Sequence, residues 1–138
     1  MIVLHTNVIS EPLKPEPSSK VLEWLDNQAA ETLYVTAVSY AELLVGVEML
    51  PAGKRKDGLA GSLATLLERL FGSRILPFDR SAATEYAHIY SRTKQTGPLA
   101  MADAQIAAIT AAQGFSLASR DVDPFRAAGL AVINPWEA

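Results

Sequence analysis

Four side chains that could bind a metal ion stand where predicted strands give way to helices. They are His5, Glu42, Asp103 and Asp121. His5 ends the first apolar run, and Asp121 lies two residues past the fourth one. Glu42 and Asp103 fall in the first turns of predicted helices. Because ligands of open α/β sheets bind beyond the carboxyl ends of the strands, we expect the four to share one cleft. Gathered carboxylates repel one another unless a hard cation is bound, and oxygen ligands suit Mg²⁺ or Mn²⁺.

Each of these residues also has an ordinary structural explanation. Ser39 and Glu42 fit the capping box S-x-x-E, in which the glutamate bonds back to the serine backbone. Asp103 could serve only to complement the helix dipole, and Asp121 could be a turn residue. His5 could be a buried histidine that bonds to a backbone group. Only their shared position at one end of the predicted sheet favours a common site.

Short apolar runs that alternate with helical patterns predict the elements that position these side chains. The predicted strands cover residues 2–4, 33–36, 74–78, 116–119 and 130–133. The predicted helices begin after Ser18 and then cover residues 39–50, 59–70, 81–96 and 102–113, with a basic, turn-like connector at residues 52–58. This alternation predicts an α/β fold, with a central parallel sheet of about five strands flanked by helices on both faces.

Length and composition indicate one globular domain. The chain has 138 residues, 49% of them apolar, a formal net charge of −3 and no cysteine. The lack of cysteine excludes disulfides and thiolate metal sites, and it suits a reducing cytoplasm. No apolar run approaches the roughly 20 residues of a membrane span, so we expect a cytoplasmic protein with no membrane partner. The net charge does not exclude nucleic acid, because binding needs only a local basic patch.

Five sequence blocks in a fixed order resemble a known family. They are LHTNVISE at 4–11, VSYAELLVGVE at 38–48, ILPFD at 75–79, MADAQIAA at 101–108 and LASRDVDPF at 117–125. The chain resembles PIN-domain ribonucleases, and more narrowly the VapC-like toxins of VapBC-type toxin–antitoxin pairs. The ending INPWEA is similar to the Fit-type branch, that of trafficking protein B. The resemblance implies a PIN-like fold, a single PIN domain over residues 1–138 and magnesium-dependent cleavage of RNA.

The resemblance also implies a set of site residues. Glu42, Asp103 and Asp121 match the catalytic and metal-binding acids of the family. The first family acid is an Asp, and His5 occupies its position as the fourth expected metal ligand. We expect supporting roles for Thr6, Asn7, Ser119 and Asp123, which could hold the ligands by hydrogen bonds.

The histidine leaves two functions open. An imidazole offers a metal one neutral nitrogen where a carboxylate offers anionic oxygens, so His5 should weaken magnesium binding. The chain is then either an active or attenuated endoribonuclease toxin, or a catalytically impaired binding module that pairs with an antitoxin and contributes to operon repression. The resemblance implies a cognate antitoxin of the VapB or FitA type, an RNA substrate, a homodimer, and a higher assembly on operator DNA. The sequence does not separate a natural His5 from an introduced inactivating change.

Overall fold

A five-stranded parallel sheet forms the centre of the protein. The computed structural model describes residues 1–138. The strand order is β3-β2-β1-β4-β5, and every neighbouring pair is parallel. The strands are β1 (Ile2–Leu4), β2 (Leu33–Thr36), β3 (Ile75–Leu76), β4 (Ser116–Ala118) and β5 (Val132–Ile133). The predicted parallel sheet of five strands is confirmed.

Seven helices cover the sheet. They are α1 (Thr6–Ser10), α2 (Ser19–Asp26), α3 (Ala37–Glu48), α4 (Lys54–Leu70), α5 (Arg80–Thr93), α6 (Met101–Gln113) and α7 (Val122–Ala127). Single turns of 3-10 helix occupy Glu11–Leu13 and Ala30–Thr32. No helix is both long and apolar enough to cross a membrane.

Two apolar cores lie on opposite faces of the sheet. Consecutive strand residues point to opposite faces, and in β1 Leu4 belongs to one core while Val3 belongs to the other. The first core contains Phe71 at the end of α4, and the second contains Ile106 of α6 and Phe125 of α7. Both faces of the sheet are therefore covered by helices, as predicted.

The central position of β1 determines where a site can form. β1 pairs with β2 on one side and with β4 on the other. The chain therefore leaves the carboxyl ends of three adjacent strands side by side. Open parallel sheets bind ligands where the strand order switches direction, and this is such a place.

Several predicted boundaries are wrong. The sequence predicts a connector at residues 52–58, but α4 already begins at Lys54, because Lys and Arg are good helix formers and Gly53 makes the preceding turn at φ 148°. β3 is limited to Ile75–Leu76, since Pro77 has no N–H for a ladder. The helix predicted over 81–96 is α5, which begins at Arg80 and ends at Thr93.

Two further differences lie close to the predicted site. α1 and α7 are absent from the predicted elements, because their five and six residues are too few for an apolar period to be recognised. α3 begins at Ala37, two residues before the predicted start at Ser39.

Candidate active site

Three consecutive side chains after β1 each contact one of the predicted acids. His5 Nε2 lies 3.0 Å from Asp103 Oδ1. Thr6 Oγ1 donates to Glu42 Oε1 at 2.7 Å. Asn7 Nδ2 donates to Asp121 Oδ2 at 3.4 Å. The three acids therefore surround residues 5–7, which begin the turn from β1 into α1.

The parallel ladder positions this tripeptide. The backbone N–H of His5 donates to Ala118 O at 2.9 Å, which extends the pairing of β1 with β4 by one residue. The ends of β1 and β4 are thereby joined, so Asp121, three residues beyond Ala118, lies beside Asn7.

The capping-box explanation of Glu42 is wrong. Thr36, not Ser39, is the N-cap of α3, and its side chain accepts the backbone N–H of Ser39 at 3.0 Å. Glu42 is exposed and bonds to the hydroxyl of Thr6 instead, while Thr6 Oγ1 also shares a hydrogen bond of 2.9 Å with Ser39 Oγ. The carboxylate of Glu42 thus faces residues 5–7 rather than the start of its own helix.

Ser119 is the centre of a buried hydrogen-bond network. Its Oγ lies 3.0 Å from His5 Nδ1, accepts the backbone N–H of Asp121 at 3.0 Å, and accepts Asn7 Nδ2 at 3.5 Å. The backbone N–H of Arg120 donates to Asn7 Oδ1 at 3.4 Å, which fixes the orientation of the Asn7 amide. Ser119 thereby links the neighbourhoods of Asp103 and Asp121.

His5 is enclosed. It is 5% exposed, and the ring of Phe125 meets the imidazole edge-on with the ring centres 5.0 Å apart. Both imidazole nitrogens contact side chains, so the backbone-satisfied histidine considered from the sequence is not what forms. Sequence reasoning missed Phe125, and only a recognised helix at 122–127 could have placed it against the sheet.

Asp123 is not part of this arrangement. It is exposed in the first turn of α7 and lines a separate pocket with Arg120 and Arg126. No hydrogen bond connects it with residues 5–7. Its supporting role stays a prediction from the family motif without a contact behind it.

Glu11 is a buried acid that the sequence did not single out. It is 4% exposed, with Lys14 Nζ 2.9 Å from Oε1 and the backbone N–H of Ser18 donating to Oε2 at 3.1 Å. The hydrogen bond from Lys14 lowers the pKa of Glu11 most, burial opposes it, and the bond from Ser18 lowers it further. Glu11 thereby ties together the two ends of the segment from residue 11 to residue 18, between α1 and α2.

As arranged, the side chains do not fit a magnesium ion. No three His, Asp or Glu side chains lie close enough together to hold one ion. Position 5 contributes an imidazole nitrogen, which is a poor ligand for Mg²⁺, and this nitrogen already contacts Asp103. The exposed carboxylates of Glu42 and Asp121 supply oxygen atoms that suit Mg²⁺. They do not lie close enough to Asp103 to form a metal site with it.

Comparison with known proteins assigns the family. Residues 2–130 match the PIN domain family. The chain is a PIN-domain protein. The resemblance inferred from the five sequence blocks is thereby confirmed.

Curated relatives match this PIN domain over nearly their whole length, and two of them are named toxins or ribonucleases. The VapC ribonuclease Y4jK of Sinorhizobium fredii is 47% identical over 138 residues and covers 99% of both chains. Toxin FitB of Neisseria gonorrhoeae is 46% identical over 137 residues and also covers 99% of both. A solved structure of FitAB bound to an IR36 DNA fragment contains a chain that superimposes with a TM-score of 0.93 at 44% identity, covering 99% of this PIN domain and 96% of that chain.

Proposed function

We propose that the chain is the toxin component of a type II toxin–antitoxin pair, an endoribonuclease whose magnesium-dependent activity is low or absent because of His5. The relatives named VapC ribonuclease and Toxin FitB support the class of protein. The contact of His5 Nε2 with Asp103 Oδ1 supports the attenuation, because it places a hydrogen-bond donor on an oxygen of an acid that an ion would need.

The electrostatics of the cleft explain why one residue matters. An RNA phosphate that approaches Glu42, Asp103 and Asp121 meets three carboxylates of its own sign, so it is repelled unless positive charge is added. An ionised carboxylate at position 5 would add a fourth negative charge, which strengthens the attraction for a cation. It would also supply an oxygen ligand for that cation. The imidazole does neither. It satisfies Asp103 with a hydrogen bond, so the cleft is stable without an ion.

RNA cleavage tests the proposal directly. We expect the unsubstituted chain to cleave single-stranded RNA slowly or not at all with Mg²⁺, and His5→Asp to cleave it faster by at least tenfold, an effect of about 1.4 kcal/mol on the barrier. Chelation by EDTA should abolish the gain. The double variant His5→Asp/Asp103→Asn is the matched control and should lose it as well. Equal rates for the chain with and without His5→Asp would refute the attenuation.

We propose a cognate antitoxin, RNA and a second copy of the chain as partners, in the cytoplasm. The FitAB complex on DNA, which shares this fold, supports an assembly with antitoxin on operator DNA. The acidic cleft suits a basic side chain of the antitoxin, which would compete with a metal ion for the carboxylates. Light scattering that finds only a monomer of 14.8 kDa at micromolar concentration would contradict the homodimer.

The second candidate function is a binding module without catalysis. The burial of His5 and its contacts with Ser119 and Asp103 support this candidate, because they give position 5 a structural role that needs no catalysis. Such a protein would still bind antitoxin and contribute to repression of its operon. It predicts that His5→Asp leaves antitoxin-dependent operator binding unchanged, and that neither form cleaves RNA.

A further inference from the structure

Both ring nitrogens of His5 have a partner, and the partners determine where the ring proton lies. Nε2 is 3.0 Å from Asp103 Oδ1, a distance that requires a proton between the two atoms. An ionised carboxylate has no proton to give. Nε2 is therefore protonated and donates to Asp103.

Ser119 accounts for the other nitrogen. The two acceptor positions of its hydroxyl receive the backbone N–H of Asp121 and Nδ2 of Asn7. Its single proton then has one neighbour that can accept it, Nδ1 of His5 at 3.0 Å. A proton on Nε2 and a lone pair on Nδ1 therefore satisfy both Asp103 and Ser119.

We infer that His5 is not a metal ligand in this protein but a hydrogen-bond donor to Asp103 that is held in place by Ser119, so that neither ring nitrogen is free for an ion. A ligating imidazole needs a free nitrogen lone pair. Here one nitrogen carries a proton and the lone pair of the other accepts the serine hydroxyl. The inference revises the expectation that His5 binds the ion, and it does not depend on whether the chain cleaves RNA.

The packing opposes a simple rearrangement. To present a nitrogen to an ion in the cleft, the imidazole must give up Asp103 or Ser119 and turn against Phe125, with which it is in edge-on contact at 5.0 Å. Ser119 is 0% exposed, so its hydroxyl would lose its partner away from water, whereas the side chain of Asp103 is 34% exposed and can be solvated instead. Unpaired buried polar groups are costly, and the network therefore resists an ion that would compete for His5.

Nitrogen-15 NMR of the histidine rings shows directly which nitrogen of His5 carries the proton. The chain has two histidines, and His88 is exposed on α5, so it serves as an internal reference in the same spectrum. At neutral pH we expect His5 to show a protonated Nε2 and an unprotonated, hydrogen-bonded Nδ1, in one tautomer. One equivalent of Mg²⁺ or Zn²⁺ should leave both His5 signals in place. A protonated Nδ1, or a metal-induced shift of the His5 signals that His88 does not share, would overturn the inference.

Two variants separate the roles of the partners. Ser119→Ala should keep the proton on Nε2 but shift the Nδ1 signal, because that nitrogen loses its donor. Asp103→Ala removes the acceptor of Nε2 and should give a mixture of tautomers. An unchanged His5 spectrum in both variants would overturn the inference. The measurement on the unsubstituted chain decides the main point even if a variant does not fold, and RNA cleavage is tested separately.

Discussion

His5 and Asp103 lie 98 residues apart in the chain, yet Nε2 of one is 3.0 Å from Oδ1 of the other. This contact joins the end of β1 to the first turn of α6. In a site of gathered carboxylates, a cation normally offsets the repulsion. Here the imidazole of His5 gives Asp103 a hydrogen-bond partner from within the fold.

The first prediction concerns stability without metal. His5→Asp exchanges a buried donor for a carboxylate next to Asp103, so the metal-free protein should lose roughly 1–3 kcal/mol of unfolding free energy. Urea unfolding in EDTA measures the loss. The double variant His5→Asp/Asp103→Asn should recover most of it, because the amide introduced at position 103 can donate to the new carboxylate. Equal midpoints for the unsubstituted chain and His5→Asp would show that the His5–Asp103 contact contributes no net stability.

The second prediction concerns the stability of the fold at low pH. The pKa of Glu11 in the folded protein lies below its ordinary value of 4.5, chiefly because Lys14 donates to it. A carboxyl group with a lowered folded pKa stabilises the fold above its unfolded pKa, and this contribution is lost as the pH falls through the folded pKa. Stability should therefore fall as the pH drops below 4.5. Glu11→Gln should be less stable at neutral pH and lose less on acidification.

The exposed Glu16 in the same loop provides the control for Glu11. Glu16→Gln should follow the unsubstituted chain at every pH. If urea midpoints of Glu11→Gln fall with acid as steeply as those of Glu16→Gln, the Glu11–Lys14 pair is not a source of the pH dependence.

The third prediction uses a matched pair of glycines. Gly129 has φ 97°, a backbone conformation that residues with a side chain rarely adopt, and a methyl group added there would also displace Nη1 of Arg92 from its bond to Ala128 O. Gly129→Ala should therefore destabilise the fold by roughly 1–3 kcal/mol. Gly46 lies inside α3 with open space around it, so Gly46→Ala should stabilise by roughly 0.5–1 kcal/mol. Thermal melts that rank the two variants in the opposite order would contradict this account of the turn after α7.

The fold was predictable from the sequence because its elements are short and strongly patterned. The apolar run Ile2–Leu4 and the alanine-rich α6 were placed correctly, since their burial is visible in the order of residue types. The start of a helix was harder to predict where two capping residues lie close together in the sequence. Thr36 and Ser39 are both good capping residues, and only the actual end of β2 decides that Thr36 is the cap.

The site was predictable only in part. Its acids could be placed at one end of the sheet because parallel strands share a direction. The contacts themselves depend on side-chain partners from distant segments. Neither the pairing of Thr6 with Glu42 nor the edge-on approach of Phe125 to His5 has a local sequence signal.

The change in melting temperature on adding Mg²⁺ tests the central claim, that His5 donates a hydrogen bond to Asp103 where a cation would otherwise bind. A ligand that binds only the folded state raises its stability by about 2.7 kcal/mol at a concentration of 100 times Kd. The melting temperature of His5→Asp should therefore rise by several degrees in millimolar Mg²⁺, and that of His5→Asp/Asp103→Asn much less. The unsubstituted chain should show no shift. A rise for the unsubstituted chain equal to that of His5→Asp would contradict the claim.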